Sequence, residues 1–274
     1  MKWFALGVLL LSLPASEASA QDKESQELAK QLANPIASLI SFPLQSNYDW
    51  GLGPSGNGGQ YKLNVQPVVP VTLNSNWNLI SRTIVPVVGQ HDAVTVPQET
   101  GNSQVGIGDI VQSLFFSPQK PTSGGIIWGA GPVFLVPTAT DKFLGSGKFG
   151  AGPTIVVLKQ SGPWTVGALA NHLWSVAGKD HRDKVSATFL QPFVGYTTKT
   201  ATTFTVNSEA TYDWAHKHWT VPVNVMIAQL LPPKMTGMSF PIQIQGGIRH
   251  YFVHADGGAE NGVRLSIVAL FPRR

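Results

Sequence analysis

The chain has no cysteine, few charged residues and no long apolar run beyond its start. Without cysteine it cannot form a disulfide framework, or carry a lipid on an N-terminal cysteine of the mature protein. No uninterrupted apolar stretch of about 18 residues follows Ala20, which excludes a helical membrane span. Charged residues are only 12% of the chain, low for a soluble domain. A β-barrel fits this composition, because half of each strand faces lipid and half faces the lumen.

The charge distribution predicts no nucleic-acid partner. The formal net charge is +4, and basic and acidic residues are scattered along the chain. Nucleic-acid binding would require a basic patch, commonly interleaved with aromatic residues, and no such run occurs.

The first twenty residues have the features of an export signal. A basic Met1-Lys2 precedes an apolar stretch over 4–13, and Ala18-Ser19-Ala20 is a small-residue cleavage site. We therefore predict a cleaved signal peptide over residues 1–20 and a mature chain that begins at Gln21.

Residues 203–214 show the clearest strand pattern. Aromatic and apolar residues from Phe204 to Trp214 alternate with polar ones, and an aromatic lies at each end. This period of two is typical of a strand with lipid on one face and a polar lumen on the other.

The same reasoning predicts an antiparallel up-and-down transmembrane β-barrel over residues 36–274. Short and long connections largely alternate, which is typical of periplasmic turns and external loops, and both chain ends then lie on the periplasmic side. Twelve strands are predicted, over residues 37–50, 58–71, 75–87, 104–117, 125–137, 147–160, 164–176, 185–198, 202–214, 218–230, 239–252 and 260–271.

Residues 21–35 form a separate periplasmic segment in this interpretation. Leu28, Ala29 and Leu32 recur at helical spacing among charged residues, which predicts a short amphipathic helix. The sequence leaves open whether this helix is a solvated tether or a plug that docks on the barrel.

The predicted inward faces of the strands mix both signs of charge with amides. The pattern permits a packed polar core in which charges neutralise one another, or a constriction that orients a solute. No ladder of one sign appears, so strong ion selectivity is not predicted. The candidate lumen-lining residues are Lys62, Asn64, Arg82, Asn207, Glu209, Asp213, Gln243, Gln245, Arg249 and Arg264.

One strand and several prolines depart from the regular pattern. Strand 125–137 is apolar on both faces, which suits either a hydrophobic solute or packing against the N-terminal segment. Prolines inside predicted strands each remove a ladder hydrogen bond, so we expect bulges or bends there.

Three motifs suggest other chemistry and are weaker. The glycines of residues 145–150 match a dinucleotide-binding pattern, but a strand follows where that chemistry needs a helix. His172, Asn171 and Ser175 suggest a lipid hydrolase, yet positions three apart on a strand face opposite ways. Histidines 91, 181, 216, 218 and 254 lie in or near predicted external loops without the spacing of a metal site. We predict no catalytic residue, cofactor or metal.

Several motifs in combination resemble a bacterial outer-membrane family. The chain is similar to transporters of the "MetA-pathway of phenol degradation" type, over essentially the whole mature length. The residues that carry the resemblance are Ala33-Asn34-Pro35, Ser41-Phe42-Pro43, Trp77-Asn78-Leu79-Ile80-Ser81-Arg82-Thr83, Gly106-Ile107-Gly108-Asp109-Ile110, Phe115-Phe116-Ser117-Pro118, Gly145-Ser146-Gly147-Lys148-Phe149-Gly150-Ala151-Gly152-Pro153 and Ala170-Asn171-His172-Leu173-Trp174-Ser175. The resemblance implies passage of small, often hydrophobic or aromatic compounds.

The expected function is that of an outer-membrane channel or transporter for small organic molecules in a Gram-negative bacterium. Its expected partners are outer-membrane lipids, small organic solutes and, during biogenesis, the barrel-assembly machinery. The chain departs from the family at its end, because Phe271 is followed by Pro272-Arg273-Arg274. A terminal aromatic residue is the usual assembly signal of such barrels, so this departure bears on the efficiency of insertion. A closed structural or adhesion barrel is the main alternative, and a barrel lipid hydrolase is a third.

Overall fold

The computed structural model describes residues 15–93 and 103–271, which form two helices and fifteen strand segments. The elements are α1 (Ala15–Leu32), β1 (Ile40–Leu52), β2 (Gly58–Val65), β3 (Val68–Thr72), β4 (Trp77–His91), β5 (Ser103–Ile107), β6 (Ile110–Pro118), β7 (Ile126–Val136), β8 (Lys148–Ser161), β9 (Trp164–Gly178), β10 (Ser186–Thr197), β11 (Thr202–Ser208), β12 (Ala210–Asp213), β13 (His218–Leu231), α2 (Pro233–Thr236), β14 (Ile242–Val253) and β15 (Asn261–Phe271). In the part of the chain described, neither helix has the length and apolar character needed to cross a membrane.

The strands close into one antiparallel barrel. Three pairs of consecutive segments, β2 with β3, β5 with β6 and β11 with β12, each continue as a single interrupted strand of the wall. The wall therefore has twelve strands, and each pairs with its neighbours in chain order. The last strand closes the ring on the first, in register from Ile40 opposite Phe271 to Trp50 opposite Asn261. The predicted twelve-stranded up-and-down barrel is confirmed.

The two ends of the barrel differ. The end at which β1 begins and β15 finishes, here called the lower end, carries the connections 73–76, 119–125, 162–163, 198–201 and 232–241. The upper end carries the connections 53–57, 92–102, 137–147, 179–185, 214–217 and 254–260, of which residues 94–102 lie outside the described residues.

The outer surface is apolar and the inner surface is largely polar. On β15 the outward Val263, Leu265 and Ile267 are 44–54% exposed, while Arg264 and Ser266 between them are buried. This pattern is the inverse of a soluble protein, in which exposed strand faces are polar. Such an apolar outer band is what a bilayer requires of a transmembrane barrel.

Aromatic side chains mark both ends of this outer band. Trp164 and Tyr196 stack edge to face at the lower end, with ring centroids 4.9 Å apart. Tyr212 contacts Trp214 and Trp219 at the upper end, at 4.7 and 4.9 Å. Amphipathic rings favour the interface between hydrocarbon and water, so these two groups are the expected membrane anchors.

Prolines explain one interruption of the wall. The strand formed by β11 and β12 has no paired residue at Glu209, between Ser208 and Ala210. Pro192 on β10 and Pro222 on β13 flank this break and have no N–H to donate to the ladder. The presence of prolines in the strands predicted bulges or bends. One of these interruptions lies between β11 and β12, where Glu209 enters the lumen.

The N-terminal segment closes the lower mouth from inside. Ala29 is fully buried, in one apolar cluster with Leu230 and Leu270. Gln160 Nε2 donates a 2.7 Å hydrogen bond to the Lys30 carbonyl, and Asn78 Nδ2 donates at 2.9 Å to Ser38 Oγ. The sequence left open a solvated tether or a docked plug, and the structure shows the docked plug. Residues 28–39 are here called the plug.

The plug also explains the strand that is apolar on both faces. Ile36 is buried against Phe115, and the inward Ile127 of β7 packs on the same cluster. Gly129 makes room for this contact, because a Cβ there would lie 3.1 Å from Ile36 Cδ1. Helix α1 begins at Ala15, earlier than the segment predicted to be helical, and most of the predicted signal peptide lies outside the described residues.

The outer band predicts a position-dependent cost of charge. Val225→Arg, on the outer face of β13, should lower the free energy of unfolding in lipid vesicles by about 2–4 kcal/mol, the range for arginine near the bilayer midplane. Leu73→Arg in a lower turn is the control and should cost about 1 kcal/mol or less. Denaturant unfolding of both variants measures the difference, and equal costs would contradict a lipid-facing band.

Candidate functional site

The lumen contains a cavity of ≈ 430 Å³ above the plug. Its floor includes Leu32, Ala33 and Pro35. A second cavity of ≈ 210 Å³ lies around the plug and shares Leu32, Pro35 and Arg82 with the first. The plug therefore separates an upper chamber from a smaller lower one.

Eight of the ten predicted lumen residues line the upper chamber: Lys62, Asn64, Arg82, Asn207, Glu209, Gln245, Arg249 and Arg264. Gln243 lines the lower chamber, and Gln245 lines both. Asp213 lies elsewhere, since it is at the upper end of β12 and bonds the loop residue His216. Its strand carries it past the chamber to the rim.

A bidentate ion pair lies at the centre of the chamber wall. Arg264 donates from Nη1 to Glu209 Oε1 at 2.9 Å and from Nη2 to Glu209 Oε2 at 2.8 Å. Its Nε donates to Asn47 Oδ1 at 2.7 Å. Arg264 is 5% exposed, so its charge needs such a partner, and the fork geometry of guanidinium and carboxylate suits it.

A second arginine extends this pair into a network. Arg249 donates to Asp49 Oδ2 at 3.3 Å and to Glu209 Oε2 at 3.4 Å. Gly262 lies opposite both Asp49 and Arg249 in the two strand registers. A Cβ at this position would collide with Asp49 Oδ1, so the missing side chain makes room for the carboxylate.

Two cations of the chamber have no carboxylate partner in the described part of the chain. Arg82 donates to the amide oxygen of Gln66 at 3.0 Å, while the Lys62 ammonium makes no hydrogen bond or ion pair there. The charged groups lining the chamber are four cations (Lys62, Arg82, Arg249, Arg264) and two carboxylates (Asp49, Glu209), a net +2. The charges do not neutralise one another, unlike in the packed polar core that the sequence permitted.

Amides complete the polar wall. Asn224 Nδ2 donates to Asn207 Oδ1 at 2.6 Å. Gln60 donates to Gln90 at 2.7 Å, and Gln90 donates to Gln104 at 3.0 Å, across three neighbouring strands. These mutual bonds satisfy buried polar groups that would otherwise be costly.

One side of the chamber is aromatic. Phe189 and Phe193 of β10 line it, with Gln191 between them. In the ring of twelve strands β10 lies six strands from β2, which carries Lys62. The cationic and the aromatic walls therefore face each other across the lumen.

The upper loops hold a separate polar group. His216 Nδ1 is 2.9 Å from Asp213 Oδ2, and its Nε2 is 3.7 Å from Asp183 Oδ2. The hydrogen bond and the charge of Asp213 raise the pKa of His216. Among the described residues no group of three histidine, cysteine or acidic side chains is placed to hold a metal ion.

His172 lies on the outer face of the barrel and lacks the surroundings of a catalytic base. Its ring is 4.0 Å from that of the outward Trp174, and Nδ1 is 2.7 Å from Thr188 Oγ1. Thr188 Oγ1 also accepts from Trp214 Nε1 at 2.9 Å. Ser175 accepts from the backbone of Val185 instead. No nucleophile, base and orienting group come together at His172 in the described residues.

The dinucleotide-like glycines lie in an upper loop. Arg182 donates to the carbonyl oxygens of Gly145 and Ser146. Strand β8 already begins at Lys148, inside the motif, and continues to Ser161, where a nucleotide site would need a helix N-terminus.

Sequence reasoning missed three groups of the chamber: Asn47 with Asp49, Tyr251, and Phe189 with Phe193. The alternation along β1 could have identified Asn47 and Asp49. They alternate with the exposed Tyr48 and Trp50, so they lie on the inward face. Tyr251 lies near the upper end of β14, where an aromatic residue is expected to anchor the barrel at the membrane interface, but it lines the chamber under Arg249. Both faces of strand β10 carry apolar side chains, such as the neighbours Phe193 and Val194, so parity alone did not single out its phenylalanines.

Comparison with solved structures shows the same kind of fold. The COG4313 outer membrane channel from Pseudomonas putida F1 superposes with a TM-score of 0.65, at 13% identity over 85% of this chain and 96% of that one. The NanC porin gives 0.49 at 13% identity over 84% and 100%, and outer membrane phospholipase A from Escherichia coli gives 0.48 at 10% over 91% and 98%. No protein-family model and no curated protein matches the chain. The chain thus has the fold of an outer-membrane barrel.

The ion-pair network predicts a large cost for removing its central carboxylate. Glu209→Gln leaves Arg264 buried without a charged partner, so the free energy of unfolding should fall by about 3 kcal/mol or more. Glu27→Gln, which breaks the exposed Glu27–Lys30 pair, is the matched control and should cost less than about 1 kcal/mol. Denaturant unfolding measures both, and similar small costs would mean that Glu209 does not hold the network.

Proposed function

We propose that the protein is a channel of the outer membrane of a Gram-negative bacterium and passes small organic molecules. The observation that carries the proposal is a charged, polar chamber of ≈ 430 Å³ inside a closed barrel whose outer face is apolar. Packed barrels without transport have no need for an uncompensated charge in the lumen, because such charge is costly to bury. Export by the predicted signal peptide over residues 1–20 is part of this proposal.

The proposed path runs from the upper loops through the chamber to the lower mouth. A solute meets the charged zone around Glu209 and Arg249, and then the plug at Leu32 and Pro35. Passage therefore requires the plug to move. Its lower contacts are apolar packing around Ile36 and hydrogen bonds such as that between Asn78 and Ser38, and no disulfide ties it to the wall.

The family resemblance gives the finer form of the proposal. Transporters of the "MetA-pathway of phenol degradation" type suggest hydrophobic or aromatic solutes, and the wall of Phe189 and Phe193 suits an aromatic body. Outer-membrane lipids would surround the apolar band, and the barrel-assembly machinery would insert it. A lipid hydrolase receives no support from the surroundings of His172.

The plug itself favours a second candidate, a closed structural barrel. In that case residues 28–39 would stay in the lumen permanently, as their burial and hydrogen bonds permit. The two candidates differ in one testable property, the mobility of the plug.

A reversible tether on the plug tests the channel directly. The chain has no cysteine, so Ser38→Cys with Asn78→Cys introduces the only two thiols, at side chains now in hydrogen-bond contact. Joined by a bis-methanethiosulfonate linker, which forms a reducible disulfide with each thiol and releases methanesulfinate, they should hold the plug in place. Proteoliposomes should then swell slowly in isotonic arabinose, and swelling should return on reduction of the linker.

Each single-cysteine variant, treated with the same linker, is the matched control and should swell like the wild type. Two results together would contradict the channel and favour the structural barrel. Folded wild type would show no swelling in arabinose, and reduction of the tethered protein would change nothing.

A further inference from the structure

We propose that the upper chamber binds small organic monocarboxylates, with the carboxylate toward Lys62 and Arg82 and the apolar body toward Phe189 and Phe193. The inference rests on the proposed channel function, of which it names the solute class. It goes beyond the sequence, which predicted no strong charge selectivity.

The first support is the state of the carboxylates. Both oxygens of Glu209 accept from Arg264, and Oε2 also accepts from Arg249, which in turn holds Asp49. Each carboxylate is thus already engaged by a guanidinium. An incoming cation would have to compete with these buried pairs. Of the four oxygens of Asp49 and Glu209, only Asp49 Oδ1 accepts no hydrogen bond, and it is buried in a carboxylate that Arg249 already holds.

The second support is the state of the remaining cations. Lys62 lies within electrostatic reach of Asp49 and Glu209, but it forms no ion pair with either in the described residues. Arg82 uses one Nη2 hydrogen bond on an amide, and four of its five N–H donors stay available for a carboxylate. A small anion would supply the counter-charge that both side chains lack.

The third support is their order along the lumen. Lys62 lines the upper chamber alone, whereas Arg82 lines the upper and the lower chambers at the level of the plug. An anion that enters from the upper loops therefore meets Lys62 and then Arg82. Two weak sites in series permit a charged solute to enter and also to leave.

The fourth support is the opposite wall. Phe189 and Phe193 stand on the strand six places round the ring from Lys62, with Gln191 between them. A solute with one charged end and one apolar end can satisfy both walls together. The volume of ≈ 430 Å³ lies within the range of small-molecule sites, of about 300–1,000 Å³.

Three probes of nearly equal shape test the charge preference. Benzoate, benzamide and benzamidinium carry charges of −1, 0 and +1 on the same ring. Titration calorimetry of the full folded chain in detergent should show benzoate binding at least about tenfold more tightly than benzamide, the effect of one charge-assisted hydrogen bond. Benzamidinium should bind more weakly than benzamide.

Variants locate the binding. Lys62→Gln and Arg82→Gln keep a polar side chain and remove one charge, so each should reduce the preference for benzoate about tenfold or abolish it. Lys199→Gln removes the same charge from an exposed lower turn and should leave it unchanged. In bilayers under a salt gradient, the reversal potential should indicate anion preference in the wild type and a smaller preference in the two chamber variants.

Equal binding of the three probes, or no benzoate binding by folded protein, would overturn the proposal. So would a benzoate preference that survives both chamber variants. Failure of the proposed channel can be distinguished from failure of the proposed binding site, because calorimetry needs no open path. A barrel that conducts no current but still binds benzoate would refute transport and support the binding site.

Discussion

The bidentate pair between Glu209 and Arg264 is the interaction on which the lumen depends. Arg264 is almost fully buried, and its charge is tolerable there only because a carboxylate accepts both hydrogen bonds. The pair connects a strand interrupted between flanking prolines to the closing strand of the barrel. Arg249 and Asp49 join the same network, which commits both acidic groups of the chamber and leaves Lys62 and Arg82 to set its charge.

The alternating pattern of the strands gives the barrel wall an apolar outer face toward lipid and a polar inner face toward the lumen. Its outward side chains form an apolar band bounded by aromatic residues, and its inward side chains hold the network and the amide pairs. The plug fills the lower mouth, where it packs on inward apolar side chains that the strands alone would leave uncovered. The polar network and the closure of the lower mouth thus belong to different elements, the chamber wall and the N-terminal segment.

Strand positions were predictable because one face of each strand must be apolar, and a period of two records this directly in the sequence. The inward position of Arg264 follows from parity along β15. Its partners do not, because Glu209 and Asn47 lie 55 and 217 positions away along the chain, and their contacts with Arg264 depend on how the barrel closes. The phenylalanines of β10 and the docking of Ile36 were not predicted for another reason. Both β10 and β7, on which Ile36 packs, have apolar side chains on each face, so parity alone does not assign the inner side.

A channel of this kind requires that the barrel encloses a path through which solutes pass when the plug moves. Single-channel recording of the full folded chain in a planar lipid bilayer examines this path. We expect discrete openings that return repeatedly to a closed level as the plug leaves and reoccupies the lower mouth. A folded, inserted protein that shows no openings across the voltage range would contradict it.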